Sequence, residues 1–243
     1  MKDTKIYGLR AIAEAIESGK TIEKVFLQNG LKGELYSQLE SLIRSNGISM
    51  VYVPIEKLNR LSHNNHQGAV ANISPVEFYE LETLINSVTE LKKNALFLVL
   101  DRLSDVRNFG AIIRTAECAG VDGIIIPKSG SAPLNGDAIK TSAGAVFKVP
   151  ISKVDHTKDA LFMLKAYNIK VIASTEKANQ NIYDISFKGP CAIIMGAEDK
   201  GITPSVLKLT DVKAKLPMAG GIASLNVSVA CGAILYEVVR QRL

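Results

Sequence analysis

Four short, almost uninterrupted apolar runs constrain this chain more than anything else in it: 96–100 (LFLVL), 123–126 (GIII), 170–173 (KVIA) and 192–195 (AIIM). Each is too short for a buried helix. None alternates as a strand with one wet face would, so each predicts a strand covered on both sides. Helical patterns fill the intervals, and strands of this kind separated by helices form a parallel sheet between two helical layers. Such sheets bind ligands beyond the carboxyl ends of their strands, so the residues just after these runs are where chemistry is expected.

The first part of the chain has another texture. Periodicity predicts helices over 9–16, 34–44 and 55–61, the second with Leu35, Leu39, Leu42 and Ile43 on one stripe, and strands over 24–27, 49–53 and 69–73. That alternation is a small α/β module ending near Pro75. Residues 76–93, acidic first and then basic, carry Leu81, Leu84, Ile85, Val88 and Leu91 and predict a connecting helix. The expected organisation is therefore α/β throughout: a module at 1–75, a linker helix at 76–93 and a parallel-sheet domain at 94–243.

Composition excludes several function classes. The 243 residues are 47% hydrophobic and 22% charged, as in ordinary soluble domains, and the net charge of +5 suits a polyanionic partner. Cys118, Cys191 and Cys231 are scattered, which argues against a disulfide framework or a zinc site, and no metal is expected. Lys2, Asp3 and Lys5 open the chain with no apolar stretch behind them, so no secretory signal is expected. The longest apolar run, 95–100, is too short to cross a bilayer. A cytoplasmic protein with no membrane partner follows as the expectation.

Three segments carry candidate chemistry. Residues 100–116 read as strand, polar turn and helix, with Asn108 as an expected N-cap and Gly110 where another backbone can come close. Arg114 lies in that helix among Ala111, Ile112, Ile113 and Ala116; it suits either a carboxylate partner or a phosphate or ribose at the strand ends. Residues 193–201 end a strand at Gly196, and Glu198 follows in a loop closed by Gly201, either a turn in solvent or a place for a flat ligand against bare backbone. Residues 216–230 pass from a glycine-rich loop to Ser224, an expected N-cap, and then a helix to about Gln241 that would bury Asn226 and Ser228. Buried polar groups need partners, since an unpaired one costs about 1–3 kcal/mol. Small residues Ala230, Gly232 and Ala233 suit close packing of this helix against another, including one from a second chain.

No GxGxxG follows a strand and no GxxxxGK[ST] is present, which removes the usual dinucleotide and nucleoside triphosphate fingerprints. The three histidines, His63, His66 and His156, lie away from the glycine-rich loops, and His156 reads as a surface residue at a helix start.

Taken in order, the strings N108-x-G-x-x-x-R114-T-A, G196-x-E-x-x-G201 and P217-M-x-G-G-x-x-S-L-N-V-S-V-A230 resemble the three motifs of the SpoU/TrmH family, within the SPOUT superfamily of knotted methyltransferases. The likeness spans about 94–243. The opening G8-L-x-A-I-x-E-A and the closing His66-Gln67-Gly68 of the first module resemble the small L30e-like RNA-binding domain of bacterial large-subunit ribosomal RNA guanosine 2′-O-methyltransferases. One departure is Val106, where many relatives have proline.

The resemblance implies a deep trefoil knot late in the chain and a homodimer whose interface completes the site. It implies S-adenosylmethionine against Thr175, Gly196, Leu216, Met218, Ser224 and Leu225, with Arg114 as the catalytic residue and Asn108, Glu198 and Asn226 around it. A guanidinium with a pKa above about 12 is a poor general base, so Arg114 is read as a phosphate clamp that also stabilises the developing alkoxide. Arg107, Lys140 and Arg10 are candidate contacts to structured RNA. The expected activity is 2′-O-methylation of a ribose, on a guanosine of large-subunit ribosomal RNA; transfer RNA methylation and a non-catalytic RNA-binding assembly factor are the alternatives.

Overall fold

The computed structural model describes residues 5–74, 76–221 and 224–243. Lys2 and Asp3 of the charged opening, Pro75 at the expected module end, and Ile222 and Ala223 of the glycine-rich segment lie outside the described residues. The chain forms two compact units, Met1–Glu77 and Phe78–Leu243.

In the first unit the elements run β1 (Lys5–Tyr7), α1 (Leu9–Glu17), β2 (Ile22–Gln28), α2 (Glu34–Ser45), β3 (Met50–Val53), α3 (Ile55–Leu61) and β4 (Ala69–Ile73). The sheet order is β1-β4-β2-β3, with β2 and β3 parallel and the other two pairs antiparallel. Successive residues of a strand face opposite ways. Ala69 and Ala71 therefore join Ile12 and Ile16 of α1 and Leu39 and Ile43 of α2, while Val70 meets Leu58 of α3 on the other face. Strand β1 was not expected: three residues with exposed Lys5 and Tyr7 give no periodic signal. Nδ1 of buried His66 accepts from the Gly68 N–H at 3.0 Å, so its proton sits on Nε2, which donates to Asn59 Oδ1 at 2.8 Å. The histidine thus builds the turn that leads into β4.

The second unit continues with α4 (Leu81–Leu91), β5 (Leu96–Asp101), α5 (Val106–Cys118), β6 (Gly123–Pro127), α6 (Gly136–Thr141), β7 (Ile151–Val154), α7 (Thr157–Ala166), β8 (Lys170–Ser174), β9 (Gln180–Asn181), β10 (Cys191–Gly196), α8 (Pro204–Leu207), β11 (Val212–Lys215) and α9 (Val227–Arg242). Its sheet has the order β7-β6-β5-β10-β8-β11-β9, and every pairing is parallel. The four apolar runs are four of its inner strands, and β5, β6 and β10 are buried along their whole length. Strands β7, β9 and β11 escaped sequence reading because strands at or next to an edge need no continuous apolar run. Among the described residues no helix is long and apolar enough to cross a membrane.

Helices cover both faces. On one, α4 and α7 bring Leu81, Leu84, Ile85, Leu161 and Leu164 onto Phe97, Val99 and Val171. The segment expected to link two domains is therefore a packed layer of the second unit. On α5 and α9, the residues Phe109, Ile112 and Ile113 and the residues Ile234, Leu235 and Val238 are buried. A Cβ added at Gly110 would run into the Thr141 side chain of α6 and come within 3.1 Å of the Ala138 carbonyl, so the approach at this glycine is made mainly by a side chain, with backbone just behind it. Buried thiols at Cys191 and Cys231 are pushed up to about 11 and about 12 by desolvation, which makes them neutral packing groups.

The connection from β5 leads through α5 to β6, and that from β10 through α8 to β11, toward opposite edges of the sheet. The crevice beyond Asp101 and Gly196, which pair across β5 and β10, is thus a topological switch point. If α4 is a core layer, Ile85→Ala should lower unfolding free energy by about 2–5 kcal/mol in urea titrations; a loss below about 0.5 kcal/mol, typical of a surface change, would return the helix to the status of a linker.

Candidate active site

Two adjoining clefts open at this crevice. The larger, about 330 Å³, is lined by the strand-end residues Ser174 to Lys177, the 195–202 turn, Leu216, Met218, Ser224 and Leu225. All six residues implied to hold the cofactor (Thr175, Gly196, Leu216, Met218, Ser224 and Leu225) line this one cleft. The smaller, about 300 Å³, is lined by Leu103, Ser104, Asp105, Asn108 and residues 197–199. Ala197, Glu198 and Asp199 belong to both, so the Glu198 turn is the wall between them.

That turn is fixed by backbone. Gly201 N–H donates to the Ala197 carbonyl at 2.8 Å, folding the segment onto the end of β10. A Cβ on Gly196 would run into the backbone of Gly201 and Ile202. Buried Asp101 braces the same turn from below: its carboxylate accepts from Thr157 Oγ1 at 3.0 Å and from the Thr203 N–H at 2.7 Å.

On this frame, Asn108, Glu198 and Asn226 close a ring of hydrogen bonds across three distant segments. Asn108 Nδ2 donates to Glu198 Oε2 at 3.1 Å, and Asn226 Nδ2 donates to Asn108 Oδ1 at 3.0 Å and to Glu198 Oε1 at 3.4 Å. An ionised carboxylate only accepts. It therefore fixes which end of each amide points where, and leaves Asn226 Oδ1 to accept from Ser228 N–H at 3.0 Å and Ser228 Oγ at 2.6 Å.

The geometry corrects three expectations. The N-cap of α5 is Asp105, which accepts from the Asn108 N–H at 2.7 Å; Asn108 lies inside the first turn, its amide free to reach Glu198. The N-cap of α9 is Asn226 rather than Ser224. Asn226 is consequently exposed and Ser228 half-buried, because a cap residue sits at the helix mouth and not within its packed length. Both still have polar partners. His156 is exposed at the start of α7, as expected.

Arg114 lines neither cleft of its own chain. It is exposed on α5, without a hydrogen bond or ion pair among the described residues. Arg107, Lys140 and Arg10 are also exposed. Sequence reading missed Glu176, Lys177, Asp199 and Lys200 of the cleft lining. Their signal was positional only: each lies two to four residues past a strand carboxyl end.

Comparison with known proteins decides the family. Residues 95–236 match the SpoU rRNA Methylase family, and residues 5–79 match the RNA 2′-O ribose methyltransferase substrate binding family. The chain belongs to the SpoU methylase family. YacO of Bacillus subtilis (strain 168), named for the TrmH family of tRNA/rRNA methyltransferases, is 35% identical over 98% of this chain and 95% of its own length. A Staphylococcus haemolyticus (strain JCSC1435) protein of the same naming is 36% identical over 100% of this chain and 97% of its own. The fold is also that of the SpoU methyltransferase AviRb from Streptomyces viridochromogenes, solved in complex with AdoMet, with a TM-score of 0.63 and 24% identity over 98% of this chain and 90% of that one.

As a SpoU-family enzyme the chain is an RNA ribose methyltransferase, and the AdoMet held by AviRb, which shares its fold, is S-adenosylmethionine. The larger cleft fits that molecule: Leu216, Met218 and Leu225 offer apolar faces to a base, bare backbone at Gly196 offers amide groups, and Thr175, Glu176 and Ser224 offer hydroxyl and carboxylate partners. Gly196→Ala should push the 197–202 turn outward and weaken S-adenosylmethionine binding by at least roughly tenfold, about 1.4 kcal/mol, in isothermal titration. Unchanged affinity would show that the turn does not border the cofactor.

Proposed function

We propose that the chain methylates the 2′-hydroxyl of a ribose in structured RNA, with large-subunit ribosomal RNA and a guanosine as the expected target, and that its active unit is a homodimer with the trefoil knot of its superfamily. The observation that carries the reading is the pair of clefts divided by the Glu198 turn, with Asn108 on one side, Ser224 and Leu225 on the other, and Asn226 tied to the wall itself. One cleft takes the cofactor, held by Thr175, Gly196, Leu216, Met218, Ser224 and Leu225; the other takes the target nucleotide. When bound, S-adenosylmethionine supplies an electrophilic methyl group.

The chain's own residues then have three tasks: to hold the ribose oxygen at roughly 3–3.5 Å in line with that methyl group, to exclude water, and to stabilise the oxygen as its proton leaves. Asn108 and Glu198 shape the nucleotide side of the wall, and Asn226 fixes both. Arg114, which keeps its guanidinium outside its own clefts, serves the site of the second subunit, where it clamps the neighbouring phosphate and stabilises the developing alkoxide. A dimer face is supported by Val229 and Tyr236 of α9, apolar or aromatic residues 55% and 53% exposed, with exposed Ala233 between them. Arg107, Lys140 and Arg10 add phosphate contacts. The substrate-binding family match at residues 5–79 favours a ribose target; transfer RNA is the second reading, because the relatives' names span both RNA classes.

Mapping 2′-O-methyl positions in ribosomal and transfer RNA of a deletion strain tests this directly. One ribosomal guanosine should lose its mark, regain it with the wild-type chain, and fail to regain it with Arg114→Ala, whose cofactor affinity stays near wild type. A lost mark on transfer RNA would move the substrate to the second reading, and full rescue by Arg114→Ala would end the role given to that arginine.

A further inference from the structure

Between β5 and α5 the chain makes a turn that is pinned at both ends. Asp101 is 2% exposed and holds Thr157 and Thr203. Leu103 is buried and its carbonyl accepts from the Ala132 N–H at 2.7 Å. The residue between them, Arg102, is forced into the left-handed region at φ +58°. Few side chains tolerate this conformation; glycine takes it freely and asparagine with little strain. The other non-glycine residues there, Gln67, Ala143 and Asn168, either precede a glycine that shares the turn or are asparagine. Arg102 has neither excuse. Strained backbone that its surroundings over-determine is a pointer to function, and the inference runs from the outlier outward.

What the strain holds in place is a charge. Arg102 is exposed and makes no hydrogen bond or ion pair among the described residues. Its methylene stem lies along Gly130, where an added Cβ would come within 3.3 Å of Arg102 Cγ. The stem is thus seated while the guanidinium stays in solvent. Asp101 pairs with Gly196 across β5 and β10, and Leu103 lines the nucleotide-side cleft. Arg102 therefore stands one residue beyond the carboxyl end of β5, between a residue that borders the crevice and one that lines the cleft shared by Asn108 and Glu198.

We propose that Arg102 is a phosphate-binding residue for the RNA substrate, presenting an unpaired guanidinium to the backbone of the strand that carries the target ribose. The proposal rests on the RNA-methylase reading above. A guanidinium free of carboxylates, on a stem seated against Gly130, matches two phosphate oxygens in a forked geometry and gives up less conformational freedom on binding than an unsupported one. It would grip backbone rather than read a base, so its contribution is independent of sequence and sensitive to salt.

Glycine suits the backbone of this turn, so Arg102→Gly removes the charge without breaking the fold. The full chain, its Arg102→Gly and its Arg102→Lys variants would be titrated with a fluorescein-labelled 20-nucleotide RNA hairpin between 50 and 200 mM KCl. Melting temperature and S-adenosylmethionine affinity would be measured alongside. For Arg102→Gly the expected result is several-fold weaker hairpin binding at low salt and a slope of log affinity against log salt reduced by about 1, with unchanged cofactor affinity and an unchanged or raised melting temperature. Arg102→Lys keeps the slope. An unreduced slope in Arg102→Gly, or an equal loss in both variants together with cofactor binding, would overturn the proposal. A wild-type chain that binds the cofactor but no hairpin at any salt would overturn the RNA reading itself and this proposal with it.

Discussion

The site depends on the carboxylate of Glu198. Both of its oxygens accept from amides that lie 90 and 28 residues away in the chain, at Asn108 and Asn226. Because a carboxylate cannot donate, it sets the direction of every bond in the ring and, through Asn226, of the cap on α9. A local hydrogen bond would fix only its own turn. This one fixes the mutual position of the helix after β5, the turn after β10 and the helix that closes the chain. Remote segments joined in this way place two clefts against one wall.

The ring can form only because the sheet brings its segments together. Parallel strands put all their carboxyl ends at one edge, and the opposite departures from β5 and β10 leave a crevice between them. The frame is then tightened at short range. Gly196 leaves room for the turn to fold back, and buried Asp101 ties the end of β5 to the starts of α7 and α8. The buried carboxylate has two donors, which offsets the cost of taking it out of water. The fold thus supplies rigidity below the site, and its exposed residues, Glu198, Asn226 and Arg102 among them, act from that support.

Much of this was legible in the sequence, for uneven reasons. The inner strands announced themselves because a strand buried on both faces has no freedom to be polar, and helix 55–61 was read to the residue. The short strands at and near the edges gave no such signal. Caps were misplaced by two or three residues: Asp105 competes with Asn108, and Ser224 with Asn226, and which one caps depends on where the backbone leaves helical geometry, something residue type alone does not fix. The residues 81–91 read as a connector because periodicity shows that a helix has an apolar face but not which unit that face packs upon. In the larger cleft, Leu216, Met218 and Leu225 carry no chemical mark of their own; they were found through family resemblance, and the structure gathers them. Glu176 and Lys177 were missed although they follow a strand end, the one rule that would have found them.

The claim that the ring acts as a unit is tested most directly by a double-mutant cycle on turnover with Asn108→Ala and Asn226→Ala. If both amides serve to hold the same Glu198 carboxylate, losing either one disables the wall. The double variant should then be little slower than the worse single variant, with a coupling of about 1–3 kcal/mol in kcat/KM. Losses that multiply, with coupling below about 0.5 kcal/mol, would mean that the three side chains act separately and that the wall between the clefts is held by something else.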